Sequence, residues 1–244
     1  MEERGEIHIG TSGWNYKHWR EVFYPKDLDP KGWLKYYAEK LNDVELNNTF
    51  YQLPAKRSFE QWKKTVPCEF SFAVKGSRFI THMKKLKDPK QSTQKLFERV
   101  ETLQDKLGPI LFQLPPRFKA NPERLDSFLN RLPRNREYAF EFRDHSWWNN
   151  EIFDILIEHK AAFCIYDLAG TLSSKKITSP HMVYIRLHGP GDAYEGRYSK
   201  HELASWAGAI NSWTETGRDV YIFFDNDQDG YAPLNAIELR EMLS

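Results

Sequence analysis

The run Tyr138–Trp148, YAFEFRDHSWW, sets a glutamate and an arginine two residues apart inside an otherwise aromatic stretch. Strand side chains alternate between faces, so Glu141 and Arg143 share one face while Tyr138, Phe140 and Phe142 share the other. Buried charge is costly unless it is paired or used. A strand that becomes charged only at its C-terminal end, and then continues into His145, Trp147 and Trp148, reads as one wall of a site.

The same phasing recurs along the chain. Glu45 and Asn47 alternate with Val44 and Leu46, Lys75 follows the Phe70–Phe72–Val74 phase, and Gln113 closes ILFQ before two prolines. Arg186 and His188 alternate with Ile185 and Leu187, and Asp225 and Asn226 end the run VYIFF. Three acids (Glu45, Glu141, Asp225) balance three bases (Lys75, Arg143, Arg186), so an internal ion-pair network is the structural alternative to a site. Networks of that kind are costly relative to apolar packing, which favours a site.

Four chemistries suit these residue types. Glu45, Glu141, Asp225, His82, His145 and His188 are ligand types for a divalent metal, although no HExxH or tight His-x-His spacing occurs. Lys75, Arg78, Arg143, Arg186 and Arg197 are donors for phosphate or carboxylate, and Gly189-Pro190-Gly191 could add backbone amides. Glu45 and Glu141 could form a glycosidase pair, but neighbouring arginines would keep both ionised, which suits a general acid poorly. His82, His188 and His145 are better proton carriers near neutral pH. Finally, Trp14, Tyr16, Phe50, Tyr51, Trp147, Trp148, Tyr194 and Tyr198 could stack on rings or sugars, against the ordinary alternative of rim packing.

Short apolar runs alternate with helix-period stretches and must position these groups. Strands are predicted at 7–10, 43–47, 69–75, 110–114, 138–142, 162–166, 182–188 and 219–224. Helices are predicted at 31–41, 59–65, 91–107, 122–131, 151–159, 199–215 and 232–243. Asn121-Pro122 and Ser199 with Glu202 mark helix starts, and Gly108 and Gly217 are expected helix stops. About eight βα units in 244 residues fit a single-domain TIM (β/α)8 barrel spanning 1–244. No convincing helix lies between Asp167 and Pro180, so one barrel helix is expected to be short or missing. A doubly wound sheet is less favoured, since Ile9–Gly13 lacks the GxGxxG spacing, and no nucleotide-cofactor motif is present.

Composition narrows the function classes. A hydrophobic fraction of 40% with eight tryptophans supports a sizeable core, and a formal net charge of +1 argues against a chain-wide field for nucleic acid. The two cysteines, Cys68 and Cys164, lack metal-ligand spacing and are expected to be reduced thiols. The polar start and the lack of a long apolar stretch lead to the expectation of a soluble, cytoplasmic protein without a membrane partner.

Seven segments in order carry a resemblance: GTSGWNYKHW with Phe23-Tyr24-Pro25, VELNNTFYQLP, FSFAVKGSRFITH, LFQLPPRF, EFRDHSWW, YIRLHGPGDAYEGRYS and YIFFDNDQDGYAPLNAIEL. Together they resemble the YecE-like family, domain of unknown function 72. The resemblance implies a TIM barrel and no established activity. That family usually carries Asn where this chain has Asp225, which asks only for an oxygen acceptor there, and often His where this chain has Asp144. The resulting expectation is an enzyme, such as a hydrolase or isomerase, with a polar C-terminal mouth acting on a small anionic, phosphorylated ligand. The alternatives are a metal-assisted nucleic-acid-processing hydrolase and a non-catalytic ligand- or partner-binding barrel. Arg143, Arg186 and Lys75 are assigned to the anion and His188 or His82 to proton transfer, with a divalent metal and the oligomeric state left open.

Overall fold

The computed structural model describes residues 3–244. Eight parallel strands close a barrel: β1 Ile7–Ser12, β2 Asp43–Leu46, β3 Ser71–Lys75, β4 Leu107–Leu114, β5 Tyr138–Phe142, β6 Ala162–Leu168, β8 Met182–Leu187 and β9 Asp219–Phe224. The pairings β1–β9 and β5–β6 complete the ring. The two-residue strand β7 Thr171–Leu172 pairs antiparallel with the end of β6. A hairpin thus stands where the barrel's sixth helix would be, in the connection expected to lack one.

Alternation along the strands sorts the side chains as the sequence predicts. One phase, including Val44, Leu46, Phe72, Val74, Phe140 and Ile185, packs outward in the main hydrophobic core. The other closes a smaller core inside the barrel, made of Ala73, Leu111, Ala139, Ala162, Cys164, Met182, Tyr184, Tyr221 and Phe223. That inner core is an apolar floor, and the polar ends of the same strands stand on it.

The outer helices are α1 Trp33–Ala38, α3 Lys56–Thr65, α4 Pro89–Val100, α5 Pro122–Leu129, α6 Asn150–Glu158, α7 Lys200–Thr214 and α8 Tyr231–Leu243. The Asn121 side chain caps α5, and Ser199 with Glu202 forms a capping box on α7. Four helical turns lack a sequence expectation, Lys17–Trp19, α2 Asn48–Tyr51, a wide turn at Phe79–Met83 and His145–Trp147, and all follow strands at the mouth.

The largest boundary correction falls between α4 and β4. The helix expected at 91–107 ends at Val100, and after it Gln104 adopts a φ of 55°. Gly108 is no helix stop but the second residue of β4, where a Cβ would lie 2.7 Å from Ser71 Oγ of the neighbouring strand. Gly217 does follow α7, with a φ of 74°. Cys68 is exposed and Cys164 buried, both as free thiols. Among the described residues no helix is long and apolar enough to cross a membrane.

Candidate functional site at the barrel mouth

Arg186, near the end of β8, is the hub of the mouth. Its Nε donates to both Glu45 oxygens at 3.1 and 3.0 Å, and its Nη1 to Glu141 Oε2 at 2.9 Å. Its Nη2 donates to Glu45 Oε1 at 2.8 Å, to Asp225 Oδ2 at 2.9 Å and to Ser12 Oγ at 3.2 Å. Glu45 also accepts from Ser12 Oγ and from the Tyr184 hydroxyl, both at 2.8 Å. A guanidinium carries five N–H donors, and here they all have acceptors close by. Arg186, Glu45 and Glu141 are fully buried.

The second arginine sits higher. Arg143 Nε pairs with Glu141 Oε1, so the two residues that stood out in the sequence do meet. Its guanidinium lies 4.8 Å from the centre of the Tyr166 ring, and its Nη2 lies 2.9 Å from His188 Nε2. Arg186 Nη1 also approaches that nitrogen, at 3.3 Å. Two donors at Nε2 make it the acceptor, which places the imidazole proton on Nδ1, 2.9 Å from Asp225 Oδ2. That approach is close but poorly aligned, and Nδ1 has no hydrogen-bond partner among the described residues.

Electrostatics follow the geometry. Burial alone would raise the Glu141 carboxyl, but Arg143 and Arg186 hold it well below the usual carboxylate range. Asp225 is likewise lowered, by Arg186 and His188 against burial. His188 is shifted below its ordinary value of 6.5 by burial and by Arg186, with Asp225 opposing only in part. Lys75 is pushed down to about 8 by burial and by Arg186, despite Glu45, Glu141 and Asp225.

Lys75, the last residue of β3, differs from the two arginines. Its side chain makes no hydrogen bond and no ion pair to any described residue, and its Nζ lies 4.6 Å from the centre of the Phe50 ring. Phe50 also packs edge-on to His82, with centroids 5.0 Å apart. His82 Nδ1 lies 2.9 Å from Thr81 Oγ1, and burial, Lys75 and Arg78 lower its proton affinity.

The predicted site residues therefore divide. Glu45, Glu141, Arg143, Arg186, His188, Asp225 and Lys75 converge at the mouth, with Gln113 aligned to Glu141 across β4 and β5. Asn47 and Tyr16 border an adjoining cavity of about 300 Å³ with Trp14 and Trp62, and Asn47 Oδ1 is buried without a partner. Trp147 is no ligand contact: it is fully buried between Phe118 and Phe142, and its Nε1 donates to the Phe118 carbonyl. Tyr198 braces the loop after β8, its hydroxyl accepting from Gly189 N and donating to Asp167, so Gly189 offers no free amide to a phosphate. Asn226 is buried and ties Gly196 to Asn235. His145 is exposed and packs on Trp148 at 4.2 Å, while Tyr51 is 71% exposed. Arg197 is an exposed partner of Glu238. Asp144 caps the turn that follows it, accepting from Ser146 N at 3.0 Å.

Sequence reasoning omitted three participants: Ser12, Tyr166 and Tyr184. Tyr166 and Tyr184 lie in the inward phase of their strands, a signal already visible in the alternation. Ser12 was hidden because β1 runs two residues past its predicted end.

No cluster of three His, Cys, Asp or Glu side chains suited to a metal occurs among the described residues. The donor set explains this, since the Arg186 guanidinium stands between Glu45, Glu141 and Asp225, where a cation bound by those carboxylates would sit. A larger cavity, about 650 Å³, is at the opposite end of the barrel, lined by Arg134, Arg136, Glu137, His159 and Lys160. Arg136 there pairs with Glu101, and His159 with Asp126, so its walls are ordinary solvated pairs.

A closed (β/α) barrel with a buried arginine–carboxylate network beneath its C-terminal mouth is the class of protein these features define. A family model described as "Protein of unknown function DUF72" matches residues 8–244. The chain belongs to that family. It is similar to the UPF0759 protein YunF of Bacillus subtilis, at 25% identity over 97% of this chain and 94% of that one. It also resembles the crystal structure of a DUF72 family protein from Thermotoga maritima, with a TM-score of 0.87 and 31% identity over 98% of this chain and 99% of that one. A DUF72 family protein from Enterococcus faecalis shares the fold, with a TM-score of 0.75 at 21% identity over 97% and 95% of the two chains.

Proposed function

We propose that the barrel mouth binds a small anionic, phosphorylated ligand and acts on it as an enzyme. The observation that carries this reading is a division of partners among the charged groups. The carboxylates Glu45, Glu141 and Asp225 are engaged by Arg186, Arg143, Ser12 and Tyr184, whereas Lys75 Nζ has no hydrogen-bond or ion-pair partner among the described residues and lies against Phe50, and Arg143 lies over the Tyr166 ring with its Nη1 unbonded. An anion at the mouth would meet these donors beside carboxylates whose charge is already answered.

Arg186 was expected to bind the anion, but its saturation makes it the foundation that holds Glu45, Glu141 and Asp225 in place. Arg143 and Lys75 are the anion-binding pair in this reading. His188 is fully buried and accepts from Arg143, which fits orienting that guanidinium. Proton transfer falls to His82, which is only half-buried. Asn47, Tyr16 and Trp14 would receive the uncharged part of the ligand. The metal-assisted nucleic-acid reading has less support, because Arg186 occupies the space between the carboxylates.

The test is thermal unfolding with and without inorganic phosphate. Phosphate is expected to raise the melting temperature in proportion to site occupancy, and Arg143→Ala should remove the rise. An equal rise in the variant would refute this assignment.

A further inference from the structure

A buried lysine normally finds an acid or a carbonyl, because an unpartnered ammonium in a low-dielectric site is costly. Lys75 has three carboxylates in its neighbourhood and hydrogen-bonds to none, while Arg186, Arg143, Ser12 and Tyr184 engage both oxygens of Glu45 and Glu141 and Oδ2 of Asp225. Its side chain lies instead against the Phe50 ring, with 6% of the residue exposed. The backbone beneath it is fixed, because Thr49 Oγ1 donates to the Lys75 carbonyl at 2.6 Å. His82 packs against the same Phe50 ring. An amine desolvated on an aromatic face, beside another fixed cation and a nearby imidazole, has the setting in which lysines act as nucleophiles toward carbonyl carbon.

We infer that Lys75 forms a covalent imine with the carbonyl group of an anionic substrate whose charged end is held by Arg143. This rests on the reading of the mouth as an anion site and adds a substrate class, carbonyl compounds that carry a phosphate or carboxylate. In the step, the neutral Nζ lone pair bonds the carbonyl carbon as the C=O π bond breaks. A proton passes from nitrogen to oxygen, giving a carbinolamine. Its hydroxyl takes one more proton, from solvent, and leaves as water while the nitrogen lone pair forms C=N. One carbonyl, one amine and one proton thus become one protonated imine and one water, without oxidant or reductant.

The experiment uses the intact protein, dihydroxyacetone phosphate as probe and cyanoborohydride to reduce any imine to a stable secondary amine, followed by peptide mass mapping. Lys75 should be labelled first, with a rate that rises through a midpoint near 8. Burial, with Arg186, Glu45, Glu141 and Asp225 on the barrel strands, sets this midpoint, and His82 on the turn after β3 is the neighbouring titratable group. At that pH an ordinary surface lysine, with its pKa near 10.4, is about 100-fold less available as free amine. Lys75→Arg, which keeps the charge but removes the primary amine, should abolish the label at this position. Labelling no faster at Lys75 than at surface lysines would overturn the imine. If phosphate still stabilises in that case, only the imine falls. If phosphate has no effect either, the anion reading falls with it.

Discussion

His8 and His188 lie at opposite ends of one barrel, His8 partly and His188 fully buried and each within 2.9 Å of an aspartate oxygen, yet their proton affinities move in opposite directions. At the N-terminal end, burial lowers His8, but the hydrogen bond and charge of Asp43, helped by Asp219 and Glu6, outweigh it and leave His8 raised above 6.5. At the mouth, burial lowers His188, Arg186 lowers it further, and Asp225 with Glu141 recovers only part. Asp225 Oδ2 is the same atom that accepts from Arg186 Nη2, so its charge is already answered. No arginine is among the groups acting on His8. Proximity to a carboxylate therefore does not set a histidine's charge; what else claims that carboxylate does.

The most severe way to break this contrast is Arg186→Met. It would strand Glu45, Glu141 and Asp225 in a buried site, and removing one member of a buried ion pair costs about 3–5 kcal/mol. Urea unfolding should show a loss of that size, a large share of the roughly 5–15 kcal/mol of an ordinary domain. A loss below about 1 kcal/mol would mean that the network is not what holds the mouth.

The two histidines then give a smaller, signed prediction. His188 is depressed, so between its folded value and 6.5 the unfolded chain binds more protons and stability rises with pH; its contribution is full above 6.5. His8 is raised, so its contribution is full below 6.5 and is lost as pH rises through its folded value. Stability measured from pH 5 to 8 should therefore lose part of its upward slope in His188→Asn, and lose a downward component in His8→Asn. Slopes changing in the same direction would contradict the assignment.

The smallest effect should come from the rim. The exposed pair Arg197–Glu238 is screened by water, and Arg197→Ala should change stability by no more than about 1 kcal/mol.

These contrasts also show what the sequence could carry. The barrel and the ring of polar strand ends were legible because a period of two is written directly into strands such as VYIRLH and YAFEFR. Most of the charged members of the mouth were legible for the same reason, while Ser12, Tyr166 and Tyr184 were missed. Roles were not, because they depend on who pairs with whom across strands distant in sequence, such as Arg186 with Glu45. Arg186 and Arg143 look alike in sequence, and only closure of the barrel makes one a buried hub and the other an outer donor. Trp147 and Tyr198 failed as ligand contacts because a loop aromatic carries no mark of whether its ring turns to the mouth or to the core. The pair His8–Asp43 went unread because it sits at strand starts, the end of a barrel where no site was sought.

The two ends also compete directly as anion sites, the small polar mouth against the larger cavity beside Arg134 and Lys160. A crystal structure grown with sulfate or phosphate decides between them. An anion within hydrogen-bonding distance of Arg143 and Lys75, with Arg186 still bridging Glu45, Glu141 and Asp225, is the predicted result. An anion bound only at the N-terminal cavity, or one that displaces a carboxylate to reach Arg186, would contradict the account.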